Sequence, residues 1–279
     1  MGLSRRLEVD QSEFNTAAKG SSGWQSPEVL CDGRKTKAID IFSLGCIIFY
    51  ILTNGHHPFD DDPLNRNFEV ATNKDELPKG LLNLPQGCSV APEAVHLVEN
   101  MLKRDPDSRL RISDTLLHPF FWAEEKCLRF LCAVSNRFEK ESADSAARAL
   151  LESAAKQVLG DSWKCKIDKA LISDVGRFRK YDFTKIKDLL RIIRNKAFHH
   201  NEIPKELKVL IGKYPNGFYN YFNIRFPRLL MYSYLAVGAV CSDEGAFAPF
   251  FGGVSDHYRK LLTKSARISV RDWYPWIFD

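Results

Sequence analysis

The sequence KIKDLLRIIRNKAFHH, from Lys185 to His200, predicts an amphipathic helix whose two faces differ in chemistry. An apolar stripe follows the i, i+3, i+4, i+7 spacing of a helix side that packs on a core: Ile186, Leu189, Leu190 and Ile193. The other side carries groups that clamp a phosphate or transfer a proton near neutral pH: Lys187, Arg191, Arg194, Asn195 and His199. Pro204 disfavours helix in the residue before it, so the helix should end soon after His200.

The sequence around this helix concentrates positive charge. Residues 177–196 contain eight Lys and Arg and two Asp, a net of +6, while the whole chain carries +5. A basic stripe by itself is most often a solvated helix face. Here aromatic residues are interleaved with the basic ones, and bases stack on aromatic rings while phosphates pair with cations. We therefore predict a patch that binds a nucleic-acid strand, RNA if the resemblance described below holds, through five side chains: Arg177, Arg179, Lys180, Lys187 and Arg191.

Composition limits the class of protein. A chain of 279 residues with 44% hydrophobic composition can bury one large core or two ordinary ones. It contains no run of eighteen apolar residues, and its charged first residues do not resemble a signal peptide. Seven cysteines are scattered without the His/Cys spacing of a zinc site. These features predict a cytosolic protein with reduced thiols and no bound metal.

Apolar periodicity predicts a mainly helical chain. The segment Thr36–Gly55 is strongly apolar but too short to span a bilayer, so we expect a fully buried core helix. A second helix of the amino-terminal part should run over Ala91–Pro106. Helices of the carboxyl-terminal part are predicted over five segments: Ala123–Ser142, Ala143–Leu159, Lys185–His200, Lys205–Ile211 and Tyr221–Cys241.

Three motifs between residues 26 and 111 resemble the carboxyl-terminal lobe of a protein kinase. Ser26-Pro27-Glu28 resembles the end of an activation segment, and Asp40–Gly45 resembles the buried Asp-x-x-x-x-Gly helix. Asp105–Arg111 is similar to the late motif whose arginine, here Arg109, pairs with the Pro-Glu glutamate. The resemblance implies a buried Glu28–Arg109 ion pair and a structural role for Asp40. It also implies candidates for activation-loop phosphorylation: Ser12, Thr16, Ser21 and Ser22.

The kinase motifs that bind nucleotide are absent from the sequence. It has no Gly-rich loop, strand lysine, catalytic-loop aspartate or metal-binding aspartate. Met1-Gly2 matches the end of the metal-binding triplet, so we expect the chain to begin inside the activation segment of a longer parent. We expect no cofactor in this chain and no phosphoryl transfer by it alone. The resemblance implies ATP or ADP with Mg in the full-length family.

The whole chain resembles one family. HPFFW, GRFRKY, DLLRIIRNK and the segment Phe226-Pro227-Arg228-Leu229-Leu230 occur in that family's order. The family is the inositol-requiring kinase/endoribonuclease of the unfolded protein response, whose ribonuclease is a KEN domain. The resemblance implies a mainly α fold: an incomplete kinase carboxyl-terminal lobe at 1–122, fused rigidly to an all-helical KEN domain at 123–251. Residues 252–279 are a divergent tail, either docked on the body through its tryptophans or an artefact of splicing or reading frame.

The family's ribonuclease site carries over at matching positions. Tyr181 and His199 are implied as the catalytic pair, and Arg194, Asn195 and Lys196 as groups that hold the substrate phosphate. The sequence departs from the family at Ala197-Phe198, where basic or His residues are frequent. His200 stands where an aromatic residue is common, which leaves open which imidazole acts.

The implied chemistry is cleavage of RNA by its own 2′-hydroxyl without a metal, giving a 2′,3′-cyclic phosphate and a free 5′-hydroxyl. The expected partners are stem-loop mRNA and a second chain, as a homodimer or as a dimer with the full-length relative. In the full-length family these domains face the cytosol from the endoplasmic reticulum membrane. Two other functions stay open: a serine/threonine kinase in the full-length parent, and a non-catalytic dimerising fragment that damps its relatives.

Overall fold

The protein is described by a computed structural model that covers Glu13 and residues 21–72, 78–82, 91–177 and 179–272. The described residues fall into two compact units that divide between Leu116 and Leu117. Of the residues named above, Met1, Gly2, Ser12 and Thr16 lie outside the described residues, as do the tail tryptophans Trp273 and Trp276.

Helices dominate both units, which confirms the predicted mainly α class. Among the described residues, β pairing is limited to one isolated bridge between Glu13 and Thr36. The helices of the first unit, the last of which ends at the unit boundary, are α1 Pro27–Leu30, α2 Ala38–Leu52, α3 Pro63–Thr72, α4 Lys79–Leu82, α5 Pro92–Met101 and α6 Ile112–Leu117. Those of the second unit are α7 Glu124–Glu139, α8 Ala146–Ser153, α9 Ala155–Leu159, α10 Lys169–Gly176, α11 Ile186–Phe198, α12 Lys205–Ile211, α13 Asn216–Arg225, α14 Leu229–Val240, α15 Ala248–Phe251 and α16 Asp256–Asp272.

The core of the first unit forms where α2 packs on α5. Phe42 and Cys46 of α2 and Met101 of α5 are completely buried. Gly45 makes this approach possible, because a Cβ there would lie 2.9 Å from the Met101 Cβ atom. Real Cβ atoms essentially never come so close to a neighbour.

The prediction that α2 is buried on all sides is wrong. Its core side is buried, but Ile47, Tyr50 and Ile51 on another side are exposed, and Ile51 is 67% exposed. An all-round apolar sequence does not identify which sides of a helix find a partner. That choice depends on the elements packed around the helix, which local periodicity does not contain.

Glu28 and Arg109 form a buried bidentate ion pair in the first unit. The guanidinium Nη1 and Nη2 atoms donate to the two carboxylate oxygens at 2.7 and 2.8 Å. Arg109 also donates to the carbonyl oxygens of Lys103 and Arg104. Both side chains are almost inaccessible, so each charge depends on the other for compensation. Asp40, by contrast, is exposed in the first turn of α2.

The second unit is built on three helices, with α11 packed on α7 and α14 beside them. Two of the predicted helices are divided. Ala143–Leu159 is interrupted at Ala154, between α8 and α9, and Tyr221–Cys241 is interrupted between α13 and α14. Pro227 lies in the second interruption, where proline cannot donate a helical hydrogen bond and disfavours helix in Phe226 before it.

The tail after Phe251 begins with an ordered, packed helix. Tyr258, Leu262 and Ala266 of α16 are buried, and α16 lies against α14. Gly238 of α14 permits the contact, since a Cβ there would lie 2.8 Å from the Leu262 Cδ1 atom. Of the helices described, none has the length and apolar character needed to cross a membrane.

Candidate active site

Helix α11 is anchored at both its start and its apolar side. The Glu152 carboxylate of α8 accepts hydrogen bonds from the backbone N–H groups of Ile186 and Lys187 at 2.9 and 3.0 Å. These donors have no partner within the helix itself, so a carboxylate at this end stabilises it. The predicted apolar stripe is confirmed, because all four of its members are completely buried: Ile186, Leu189, Leu190 and Ile193.

A short loop, residues 179–185, carries Tyr181 toward α11. The backbone N–H of Asp182 donates to Asp188 Oδ2 at 2.6 Å, and Asp182 Oδ1 accepts from the N–H and hydroxyl of Thr184. Those Thr184 hydrogen bonds lower the pKa of Asp182. The buried Trp163 donates its backbone N–H to the Phe183 carbonyl oxygen. The loop is therefore held by hydrogen bonds at the residues that directly follow the tyrosine.

A pocket of about 400 Å³ lies between this loop and the end of α11. Four of the predicted site residues line it together: Tyr181, Asn195, Lys196 and His199. Two acidic residues on the pocket wall were not singled out from the sequence: Asp174 and Glu202. Pro204, which the sequence marked only as a helix stop, also lines the pocket.

His199 directly follows the last residue of α11 and is exposed at the pocket. Its backbone N–H donates to the Asn195 carbonyl oxygen at 3.0 Å. Its Nδ1 atom lies 2.9 Å from Oε1 of Glu202, three residues later. Glu202 was missed in the sequence, although a carboxylate three positions after a candidate imidazole was the available signal.

His200 is separated from this arrangement by its ring contacts. Its imidazole lies 5.0 Å from the Tyr214 ring and 6.1 Å from the Phe218 ring. Burial, followed by the charge of Lys208, lowers the pKa of His200. The imidazole that lines the pocket is that of His199.

Arg194 orients the side chain of Asn195. Its Nε and Nη2 atoms both approach Asn195 Oδ1, at 3.1 and 2.8 Å, while Nη1 lies 3.3 Å from Asn136 Oδ1. Because Oδ1 is occupied by the guanidinium, the amide can offer a ligand its Nδ2 donors. Arg194 itself is not among the residues that line the pocket.

Lys196 is held on the pocket wall by an acidic partner. Its Nζ atom forms an ion pair with Asp174 of α10. A phosphate that binds Lys196 would share the ammonium with this carboxylate. Asp174 was not predicted, because nothing in the local sequence pattern links α10 with α11.

The five cations of the predicted RNA-binding patch fall into two groups. Three are exposed, and two are bonded to Glu139. Arg177, Arg179 and Lys180 are exposed. Arg191 is only 7% exposed and donates to both carboxylate oxygens of Glu139, so the prediction of an exposed basic side is wrong at this position. Lys187 is half-buried and donates to the Glu139 carbonyl oxygen at 3.1 Å. The cause is α7, which places Glu139 against that side of α11.

The described residues offer no evident metal centre, since they contain no group of three or more His, Cys, Asp or Glu side chains that could hold an ion. What the pocket does bring together is an imidazole, a phenol, an amide and an ammonium group. These can donate or accept protons and stabilise negative charge.

Family models match nearly the whole chain. A protein kinase domain model matches residues 1–121, and a ribonuclease 2-5A model matches residues 127–251. The chain is 43% identical over 255 residues to the serine/threonine-protein kinase/endoribonuclease IRE1a of Arabidopsis thaliana, covering 90% of this chain and 29% of that protein. It is also 43% identical over 257 residues to the kinase/endoribonuclease IRE1 of Oryza sativa subsp. japonica, covering 91% and 28%. The chain belongs to the kinase/endoribonuclease family.

A more distant relative carries a name that states its role. The sensor for unfolded proteins in the ER of Schizosaccharomyces pombe is 37% identical over 272 residues, covering 88% of this chain and 25% of that protein. The chain thus spans between a quarter and a third of the length of these curated relatives. All the pocket residues fall within the part that the ribonuclease 2-5A model matches.

Proposed function

We propose that this chain is an endoribonuclease that cleaves RNA without a metal ion. The observation that carries the proposal is the shared pocket of Tyr181, Asn195, Lys196 and His199 in the ribonuclease-like unit. RNA supplies its own nucleophile, the 2′-hydroxyl, so the protein needs a proton acceptor, a proton donor and groups that stabilise the phosphorane.

In the proposed reaction the 2′-oxygen attacks the adjacent phosphorus and the bond to the 5′-oxygen breaks. Tyr181 accepts or positions the 2′-hydroxyl proton, and protonated His199 donates a proton to the departing 5′-oxygen. The products are a 2′,3′-cyclic phosphate and a free 5′-hydroxyl. Acid or base help of this kind is typically worth about 10² to 10⁴-fold per group.

The phosphate-binding roles follow from the hydrogen bonds at the pocket. Asn195 donates through Nδ2 to a non-bridging oxygen, because Arg194 occupies its Oδ1. Lys196 contributes charge from its ion pair with Asp174. Arg194 then acts through Asn195 in addition to its own positive charge, which refines the direct phosphate contact that we expected from the sequence.

The test is cleavage of a stem-loop RNA by the purified chain in EDTA, with fragments analysed for cyclic phosphate ends. The wild-type chain should cleave, and His199→Ala should reduce the rate about 10² to 10⁴-fold. His200→Ala is the matched control and should leave most activity. Cleavage that survives His199→Ala, or that requires magnesium, would refute the proposed chemistry.

A second substrate separates binding from reaction. The same stem-loop with a single 2′-deoxyribose at the cleavage site lacks the nucleophile, so it should bind and remain intact. Cleavage of this substrate would mean that the nucleophile is water and that the scheme is wrong.

For the full-length parent we propose a serine/threonine kinase activity that uses ATP or ADP with Mg. The residues present here do not fit that group. The sequence contains none of the nucleotide-binding motifs, and the described residues contain no acidic cluster that could hold a metal ion. We therefore assign this chain no phosphoryl-transfer step. The kinase proposal is tested by reading the genomic sequence upstream, where an in-frame lobe with those motifs is expected.

We also propose that the ribonuclease unit pairs with a second chain, as a homodimer or with a full-length relative. Phe198 is 67% exposed beside an apolar pocket of about 330 Å³, whose lining includes Leu128 and Phe250. Burying such a ring against a copy is favourable. Analytical ultracentrifugation should detect a dimer that Phe198→Asp weakens. We place the parent at the endoplasmic reticulum membrane with these units in the cytosol, as the family resemblance implies. The name of the fission yeast relative describes that protein as a sensor for unfolded proteins in the ER.

Pairing also bears on the non-catalytic alternative. If the chain does not cleave RNA but still forms mixed dimers, it would act by damping its full-length relative. Adding increasing amounts of this chain to the relative would then reduce cleavage in proportion to mixed-dimer formation.

A further inference from the structure

One carboxylate lies at the centre of the cations behind the pocket. Glu139, the last residue of α7, accepts hydrogen bonds from Arg191 at 2.8 and 2.7 Å. Nη1 of Arg194 lies 3.4 Å from its Oε2 atom, and Nη1 of Arg179 lies 3.8 Å from its Oε1 atom. The hydrogen bond with Arg191 is the main cause that lowers the pKa of Glu139. Its carboxylate is therefore charged at neutral pH.

A first arm of contacts runs from Glu139 to the amide in the pocket. Glu139 pairs with Arg194, and Arg194 donates at 3.1 and 2.8 Å to Asn195 Oδ1. A guanidinium held on its far side by a carboxylate has fewer orientations open to it. The amide that it orients is the one that lines the pocket.

A second arm runs from Glu139 to the loop that carries the phenol. Arg191 also donates to Asp188 Oδ1 at 3.1 Å, and Asp188 Oδ2 accepts the backbone N–H of Asp182 at 2.6 Å. Asp182 directly follows Tyr181. The pKa of Arg191 is raised mainly by its hydrogen bond with Glu139, and Tyr181 is among the weaker contributors. The phenol therefore lies within the electrostatic reach of this guanidinium.

The geometry points to Glu139 as a positioning residue that holds the two walls of the pocket in place for RNA cleavage. Glu139 is not among the residues that line the pocket, so it acts through Arg194 and Arg191. This inference rests on the proposed ribonuclease function for its effect on rate. The two sets of contacts that start from the Glu139 carboxylate can be tested separately, by a measurement that does not depend on RNA cleavage.

The test compares two glutamates that each accept from an arginine through both carboxylate oxygens. Glu139→Gln keeps the shape and removes the charge. The matched control is Glu244→Gln, because Glu244 accepts from Nε of Arg137, also on α7, at 2.8 and 2.7 Å. Glu139→Gln should lower kcat about tenfold to a hundredfold with KM within about twofold, since displacements near 1 Å at reacting groups cost up to about that much. Glu244→Gln should leave both constants near wild type.

A double-mutant cycle separates a positioning effect of Glu139 on Asn195 from a general loss of structure. If Glu139 acts partly through Asn195, Glu139→Gln should cost less in an Asn195→Ala background than in the wild-type chain. Should Glu139→Gln fold poorly, Asp188→Asn breaks only the second arm and should still lower kcat with little change in KM. Equal costs in both backgrounds, or a folded Glu139→Gln chain with wild-type kcat, would overturn the inference.

Hydrogen exchange decides the matter independently of activity. Glu139→Gln should speed exchange of the Asp182 amide relative to Glu244→Gln, because Arg191, which holds the acceptor Asp188, loses the carboxylate that fixes it. If the wild-type chain does not cleave RNA, the proposed function fails, yet faster exchange at Asp182 would still support the two-arm arrangement. Unchanged exchange at Asp182 in a folded Glu139→Gln chain would refute it.

Discussion

Glu202 Oε1 lies 2.9 Å from Nδ1 of His199, so the imidazole at the pocket has a carboxylate partner three residues along the chain. Such a partner favours the ring form with a proton on Nδ1 and limits ring rotation. Both side chains are exposed, at 64% and 76%, so the contact is a modest one.

The first prediction follows from that exposure. An exposed pair contributes up to about 1 kcal/mol, which is roughly a fivefold change in rate, so Glu202→Gln should lower kcat about twofold to fivefold. The effect should shrink at high salt, because salt screens exposed charges. Glu206→Gln, an exposed glutamate of α12, is the control. A loss beyond a hundredfold would instead give Glu202 a direct chemical role.

The second prediction concerns the amide of Asn195. Asn195→Asp keeps the shape and can still accept from Arg194, but it replaces the Nδ2 donors with negative charge facing the substrate phosphate. Removing one such donor typically costs about 10² to 10³-fold in kcat, so we expect a loss at least that large. Asn201→Asp, at an exposed position, should have little effect. Single-turnover cleavage measures the rate constant of each variant. Equal rate constants for Asn195→Asp and Asn201→Asp would exclude a phosphate contact by Asn195.

The third prediction concerns the salt dependence of RNA binding. Arg177 and Lys180 are exposed, whereas Lys187 is half-buried and bonded to a carbonyl oxygen. Each phosphate contact by an exposed cation contributes about 0.7 to 0.9 to the slope of log affinity against log salt. Arg177→Ala and Lys180→Ala should each reduce the slope by about that amount for a 2′-deoxy-blocked RNA. Lys187→Ala should leave it almost unchanged, and a slope that falls equally in all three would contradict this division.

The fourth prediction concerns the stability of the first unit. Glu28→Gln leaves Arg109 buried without its counter-charge, which should cost about 3–5 kcal/mol. Glu69→Gln removes the more exposed pair with Lys79 and should cost about 1 kcal/mol or less. Hydrogen exchange of the α2 amides reports the free energy of unfolding of this unit. Similar losses of unfolding free energy in the two variants would mean that burial does not increase the contribution of the Glu28–Arg109 pair.

The fifth prediction concerns pH. Burial raises the pKa of Glu93 from 4.5 to about 7, and its Oε1 atom has no hydrogen-bond partner. Between these values the folded state keeps the proton that the unfolded chain releases, so the Glu93 contribution to the free energy of unfolding falls as pH rises. Glu93→Gln removes this effect. The variant should gain stability relative to wild type between pH 4.5 and about 7, by on the order of 3 kcal/mol, and hold that gain above.

Denaturant unfolding at several pH values measures this difference. His57 and His96 oppose Glu93 in the same window, because burial lowers their pKa values to about 4 and about 3. They are present in both proteins, so the comparison between variant and wild type isolates Glu93. A difference that does not change with pH would show that Glu93 is already charged in the folded state.

Local periodicity and motif order predicted much of the fold. The apolar stripe of α11 is buried as expected, and α12 has the predicted bounds Lys205–Ile211. The apolar run predicts one helix over Tyr221–Cys241, but Pro227 divides it into α13 and α14, because proline disfavours helix in the residue before it. Likewise, apolar residues on every side of α2 did not reveal that Ile51 is exposed.

The residue types of the candidate site could be predicted from the sequence. The contacts that hold these residues in place could not. Tyr181, Asn195, Lys196 and His199 were chosen from a family resemblance, and they line one pocket. The partners that hold the site in place came only from the structure: Glu139, Asp174 and Glu202. Arg191 changed from a predicted RNA contact to a buried partner of Glu139.

The sequence by itself determined the mainly helical class, which side of α11 faces a core, and which side chains can transfer protons and bind phosphate. These properties depend on neighbours three or four positions apart, which a linear pattern records. Only the tertiary structure decided which charges meet, because the Glu139–Arg191 contact joins residues 52 positions apart. A carboxylate on α7 and a guanidinium on α11 become partners through the packing of two helices, and no local pattern carries that information.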